Sequence, residues 1–451
     1  MDIVKEEESD IKLLFNRIKK RDFSGNEGTA VKNSIFQFST TFIGKIGSLV
    51  LTIILARLLM PEIFGLYSLA LSTILIFVAF SDLGIGDTLI RFVSRELGKR
   101  RIGKAKSYSE YLIRIKLFMM IVVSLALILF ARLIAEGYYH KPLTLALIAG
   151  SLYVLFGGAV VILQAILQAH NLFKPILYRE TLFQIIRIVI IPLVVLLSIK
   201  NYTTESLVAI IIVILSLSFA FSVLLLYLFT RKNIFKKEIA KKALSVKEKY
   251  EVKKFVLLNS TIILSGIFFG YIDIIMLGYF VTSEYIGYYQ GAFSFINAAI
   301  SLITFSGALL PVFSRLNREK MDIFVKKTIR VVSLISIASF LFILLAAKPL
   351  ILIIFGSEYA NSVNILRILS LLLLSIPITT IYSTYFISSG RPEIVSKSLI
   401  ASTVILIILN YFLISVLLPY GPMYAVYGSA IATIISRYSY LFLLVILKKR
   451  N

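Results

Sequence analysis

The sequence predicts an all-α integral membrane protein: about 12 transmembrane helices in two parallel-repeat six-helix bundles around a central cavity. Three observations predict this. Apolar segments of spanning length recur along the whole chain, and their polar connections alternate between Lys/Arg-rich and Lys/Arg-poor. A turn motif near the start returns about half a chain later. Composition agrees, at 58% hydrophobic, 16% charged and a mean hydropathy of +0.90. A soluble domain would not need so many apolar runs of about 20 residues, the length that crosses the hydrocarbon layer.

The predicted spans of the first half are 34–58, 64–83, 113–133, 143–167, 176–199 and 206–229. Those of the second are 255–280, 286–313, 331–354, 365–387, 398–418 and 424–447. Residues 1–33 form an amino-terminal tail and 230–254 a basic linker, leaving bundles at 34–229 and 255–451. Met1 to Asp10 is acidic and no apolar run precedes Ser34, so the tail is not a secretory signal. Ile11, Leu14, Phe15 and Ile18, interleaved with Lys12, Arg17, Lys19 and Lys20, suit a helix on the membrane surface or a basic tail without structure.

The formal net charge of +24 invites a nucleic-acid reading, but the distribution of the charge argues against one. With the amino terminus inside, cytoplasmic segments hold about 36 of the 48 Lys and Arg, and outward connections about 5. The basic segments are topology signals and binders of anionic headgroups. This predicts a multi-pass cell-membrane protein with both termini cytoplasmic and no nucleic-acid partner. Asn201-Tyr202-Thr203 falls on an outward connection as a glycosylation pattern, whereas Asn259-Ser260-Thr261 sits inside a span.

Several chemistries are excluded. There are no cysteines and two histidines, His140 and His170, on opposite faces, so thiol chemistry and a Cys/His zinc site are ruled out. No phosphate-binding glycine loop appears, and the linker is too short for a catalytic domain. The expectation is a protein without enzymatic activity, cofactor or metal.

The repeat is read between spans one and two and between spans seven and eight. At an offset of 222 residues, Glu62, Gly65, Tyr67 and Ala70 match Glu284, Gly287, Tyr289 and Ala292. Six spans separate the copies, an even number, so both run the same way through the membrane and the repeats are parallel.

Beyond the repeat, an ordered set of short motifs runs along the chain. It opens with Leu55-Ala56-Arg57-Leu58-Leu59, Phe64-Gly65-Leu66-Tyr67-Ser68 and Asp82-Leu83-Gly84. It continues with Phe355-Gly356-Ser357-Glu358-Tyr359, Ser389-Gly390-Arg391-Pro392, Asn410-Tyr411-Phe412-Leu413, Pro419-Tyr420-Gly421 and Gly428-Ser429-Ala430. From about Asn33 to Leu447 the chain resembles the polysaccharide-biosynthesis flippases of the multidrug/oligosaccharidyl-lipid/polysaccharide exporter superfamily. It departs from them where Ser429 stands for an alanine after a longer turn. The resemblance implies two six-helix bundles around a central cavity and an isoprenoid-(pyro)phosphate-linked oligosaccharide as substrate. It also implies membrane lipids and glycan polymerases or transferases as partners.

The residues point to a cavity independently. In span one, Gln37, Thr41, Lys45, Ser48 and Thr52 share one helix face. In span eight Gln290, Ser294, Asn297, Ser301 and Thr304 do so, and in span twelve Ser429, Thr433, Arg437 and Tyr440. Such a stripe faces a neighbouring helix or water, since lipid is costly. Lys45, Arg187 and Arg437 lie near mid-span, where a cation costs roughly 2.5–3.5 kcal/mol to insert. An anionic ligand would supply their missing partner, and Arg suits bidentate phosphate contacts. Alternatively, the two arginines hold helices together through carbonyls or Glu180.

Arg91, at the inner end of span two, either meets a phosphate or sets topology. Asp273 in span seven binds a coupling cation or pairs with a cavity cation. Asp82 is read as a second coupling candidate or as a capping residue. The expected function is flipping a lipid-linked oligosaccharide outward by alternating access. A cation-coupled multidrug exporter and a non-transporting scaffold of a glycan-synthesis complex are the competing readings.

Overall fold

The computed structural model describes residues 25–235, 242–304 and 318–449, and all regular structure among them is helical. The proposed surface helix around Ile11 to Ile18, part of the linker and the end of span eight lie outside the described residues. α1 (Gly25–Asp82) carries the first two predicted spans in one helix bent at Met60. There φ is 58° and ψ 169°, just before Pro61, which lacks an N–H and disfavours helical backbone in the residue preceding it.

α2 (Ile85–Gly98) occupies what reads in the sequence as a basic connection. Its buried Ile85, Leu89, Phe92 and Val93 recur at helical spacing while Arg91 and Arg95 stay exposed, so the helix is amphipathic. α3 (Ile102–Arg132), α4 (Thr144–Ala169), α5 (Lys174–Ser198) and α6 (Thr204–Thr230) complete the first half.

The second half opens with α7 (Val246–Phe280), which starts with a capping box between Ser245 and Glu248. α8 (Ser283–Ile303) and α9 (Arg318–Ile354) follow. The predicted span 365–387 is two helices, α10 (Ser362–Leu369) and α11 (Leu372–Ser388). α12 (Pro392–Leu417) and α13 (Pro422–Lys449) end the fold. Ten helical segments among the described residues are long and apolar enough to cross a membrane. The first, Lys32–Gly98, contains both passes of the bent α1. α8, at 21 residues long enough but carrying the polar Gln290, Ser294, Asn297 and Ser301, is not among the ten segments and stands where the eighth span is predicted.

The repeat has a direct structural meaning. A Cβ on Gly65 would overlap the carbonyl of Ser283, and a Cβ on Gly287 would overlap the carbonyl of Pro61. Ser283 stands at the repeat offset from Pro61, so the two turns grip each other reciprocally. Around them, Tyr359 donates its hydroxyl to Ala56 O at 3.0 Å, and Arg57 donates to Ile354 O at 2.8 Å and to Ile353 O. Lys141 donates to Tyr139 O at 3.2 Å and to Gly278 O, and the Tyr138 and Tyr279 rings lie 5.3 Å apart. Burial pulls the Lys141 ammonium down to about 8. Together these contacts seal the two halves at one end of the molecule.

At the other end a narrower seam joins α7 to the first half. Phe80 meets Phe268 edge-on at 6.2 Å, Gly84 packs on Asn259, and Val252 is fully buried in a core built with α2.

Candidate functional site

A cavity of about 750 Å³ lies between the halves, beyond the sealed end. Its wall from α1 carries Gln37, Thr41, Lys45, Ser48 and Thr52, the whole polar stripe of span one. α8 contributes Ser294, Asn297 and Ser301 from the opposite side, and α7 contributes Tyr271. α4 brings Tyr153, Gln164 and Gln168, and α5 brings Arg179, Glu180, Gln184 and Arg187.

The cations gather on the wall of the first half. Lys45 is exposed to the cavity and makes no hydrogen bond or ion pair among the described residues. Arg187 is fixed by three contacts. Its Nε donates to Gln184 Oε1 at 2.7 Å, Nη2 donates to Ser48 Oγ at 2.5 Å, and its guanidinium carbon sits 5.1 Å from the Phe183 ring centre. Gln184 in turn donates to Glu180 Oε1 at 2.6 Å and to Gly44 O at 3.3 Å. Arg179, buried, pairs with Glu180 at 2.7 Å, and its Nε has no hydrogen-bond partner among the described residues.

This chain of contacts needs α5 pressed close to α1. Gly44 and Gly47 provide the room: a Cβ on Gly44 would lie 3.1 Å from Glu180 Oε1, and one on Gly47 would overlap the Gln184 amide.

The other candidates lie elsewhere. Arg437 is absent from the cavity wall. It donates to Phe269 O at 2.7 Å and stacks on the Phe269 ring at 3.8 Å, a cation–π contact inside the second half. Asp273, 2% exposed, accepts from Ile274 N at 2.9 Å, from the Tyr289 hydroxyl and from Thr433 Oγ1 at 3.5 Å. Its charge interacts with that of Arg437 without a direct ion pair. Asp82 accepts from Lys116 Nζ at 2.8 Å, and Lys116, fully buried, also donates to Ser81 O at 3.1 Å. The lysine thus caps the helix end where Leu83 and Gly84 turn left-handed, with φ of 47° and 76°. Arg91 lies over the Phe255 ring at 4.2 Å, on the α2–α7 seam. Gln290 donates to Ser294 Oγ at 3.2 Å and does not line the cavity.

Arg179, Gln184 and Lys116 escaped the sequence reading. Arg179 and Lys116 fall near predicted span ends, where a cation looks interfacial. The available signal was local: Arg179, Glu180, Gln184 and Arg187 follow one another at spacings of one, four and three, which places them on one side of a helix.

Helices long and apolar enough to cross a membrane thus close on each other at one end and leave a polar, cation-bearing cavity between the halves, the architecture of an integral membrane protein with an internal polar site. The polysaccharide biosynthesis protein family model matches residues 30–317, and the chain belongs to that family. Among solved structures, it is similar to the lipid II flippase MurJ in an inward closed conformation. That match has 16% identity and a TM-score of 0.68, and it covers 90% of this chain and 87% of the other. It is also similar to a multidrug resistance MATE family transporter of the MOP superfamily. The inward-facing form gives 16% identity and a TM-score of 0.64 over 90% and 96% of the chains. The outward-facing form gives 15% identity and 0.58 over 95% and 96%. No curated protein matches the sequence significantly. The chain therefore shares the fold of these solved structures.

Proposed function

We propose that this chain flips an isoprenoid-(pyro)phosphate-linked oligosaccharide from the inner to the outer leaflet by alternating access. The observation that carries the reading is the composition of the cavity wall: among the described residues, three cations, Lys45, Arg179 and Arg187, stand against one carboxylate, Glu180. In a low-dielectric cavity a surplus of cations favours a multiply charged anion, and guanidinium forks match phosphate oxygens. The amides and hydroxyls of Gln37, Gln164, Gln168, Asn297 and Ser301 suit sugar hydroxyls.

The cavity lies toward the Gly84 end. The positive-inside distribution assigns that end to the cytoplasm, where the substrate would be loaded, with both termini on the same side. The inner halves of α1 and α8 face each other across the cavity, and a gap between them would leave the isoprenoid tail in lipid. Rocking of the halves would open the sealed end and release the glycan outside. Moving two negative charges outward, down an inside-negative potential of about 100 mV, would gain roughly 4–5 kcal/mol, so the direction does not require ATP. A drug exporter for organic cations would want carboxylates free in the cavity, and Glu180 is already bound to Arg179.

The test is translocation of a fluorescent polyprenyl-pyrophosphate oligosaccharide in proteoliposomes. The native chain should transport it and Lys45→Ala should transport it poorly. Failure of the native chain across several glycans and ion gradients would return the choice to the exporter or scaffold readings.

A further inference from the structure

Glu180 is the one carboxylate lining the cavity among the described residues, and it sits inside the cationic cluster. Its two oxygens are divided: Oε2 holds Arg179 at 2.7 Å and Oε1 accepts from Gln184 at 2.6 Å. Gln184 then passes the contact to Arg187. A carboxylate placed this way offers the cluster what a phosphate would offer, anionic oxygens that accept from a guanidinium and from the amide beside it. The charged and titratable groups around it are Arg179 and Arg187 on α5 and Lys45 on α1, with Tyr153 of α4 and Tyr271 of α7 on the same cavity.

A site with three cations and no internal competitor would hold a pyrophosphate too tightly for release, because desolvated charge pairs are strong. We propose that Glu180 is a built-in competitor, an internal counter-ion that an incoming substrate phosphate displaces from Arg179 and that reclaims the guanidinium on release. This rests on the phosphate-linked substrate of the preceding reading and adds the regulation of its site. Phosphate binding then leaves Glu180 without its partner beside a second anion, and the repulsion between the two keeps the substrate releasable.

The experiment is equilibrium binding of farnesyl pyrophosphate to the purified full chain at one fixed pH, for the native protein and Glu180→Gln. Gln keeps the size and an acceptor for Arg179, so the fold is preserved. The variant should bind about tenfold tighter, the weight of one desolvated charge pair. In an Arg179→Gln background, Glu180→Gln should gain nothing. If the native chain binds farnesyl pyrophosphate and Glu180→Gln binds equally or more weakly, the competitor role is wrong and Glu180 only positions Arg179. If the native chain does not bind the probe at all, the phosphate-lipid reading itself fails.

Discussion

Gly65 and Gly287 stand 222 residues apart and seal the same interface, each lying on the backbone carbonyl of the other half's turn. The contact is reciprocal, as a pseudo-two-fold axis between repeats requires. No side-chain rotation can relieve a clash with a backbone oxygen. Gly65→Ala or Gly287→Ala should therefore weaken the seal by about 1–3 kcal/mol, in the range of overpacking. The chain has no cysteines, so a single Leu69→Cys at the seal is a clean reporter. Leu69 is fully buried, and its alkylation should accelerate at least about tenfold in either alanine background. Unchanged alkylation would mean that the glycines do not hold this end shut.

The cations separate into two groups. Lys45 and Arg187 face the cavity, whereas Arg437 is packed on Phe269. Lys45→Ala and Arg187→Gln should each weaken farnesyl pyrophosphate binding by about tenfold or more. Arg437→Gln should leave affinity within about twofold and instead lower stability by about 1–3 kcal/mol, through the lost carbonyl bond. Binding isotherms and thermal unfolding of the same preparations check both.

The Asp82–Lys116 pair is a structural device at the end of α1. Breaking it with Lys116→Met leaves a half-buried carboxylate without its partner and should destabilise the fold by about 3–5 kcal/mol. Adding Asp82→Asn should recover most of that loss. A double variant as unstable as the single would show that the lysine's bond to Ser81 O carries the effect.

Lys141 gives a pH signature. Burial lowers its folded value to about 8 against an ordinary 10.5, so between these limits the unfolded chain binds more protons than the folded one. Stability from this group therefore rises as pH increases from about 8 to 10.5. The difference in unfolding midpoint between the native chain and Lys141→Met should grow in favour of the native chain across that window. A difference independent of pH would contradict the burial argument.

The helical membrane fold was legible because lipid enforces it: apolar length, charge asymmetry and the Glu62/Gly65/Tyr67 repeat each left a mark in composition or spacing. The polar stripe of span one was legible for the same reason, since Gln37 to Thr52 form a polar face on an otherwise apolar helix. The stripe of span twelve gives the same signal, but its residues do not line the cavity: Ser429 bonds Asn410 at 2.7 Å and Arg437 bonds Phe269 O. Periodicity reports a polar face and not what it meets. The α2 helix was hidden by its charges, and the Arg179–Glu180–Gln184–Arg187 chain by its place near a span end. The reciprocal glycine contact depends on how two distant turns dock, and the sequence shows only that the turns match.

Alternating access requires the sealed end to open in every cycle. The most direct measurement joins Tyr138→Cys to Tyr279→Cys, whose rings lie 5.3 Å apart across the seal, with a short reducible thiol crosslinker. Translocation of the fluorescent polyprenyl-pyrophosphate oligosaccharide is then followed in proteoliposomes. Crosslinking should abolish transport while leaving farnesyl pyrophosphate binding intact, and reduction should restore transport. Undiminished transport with the seal crosslinked would contradict the account.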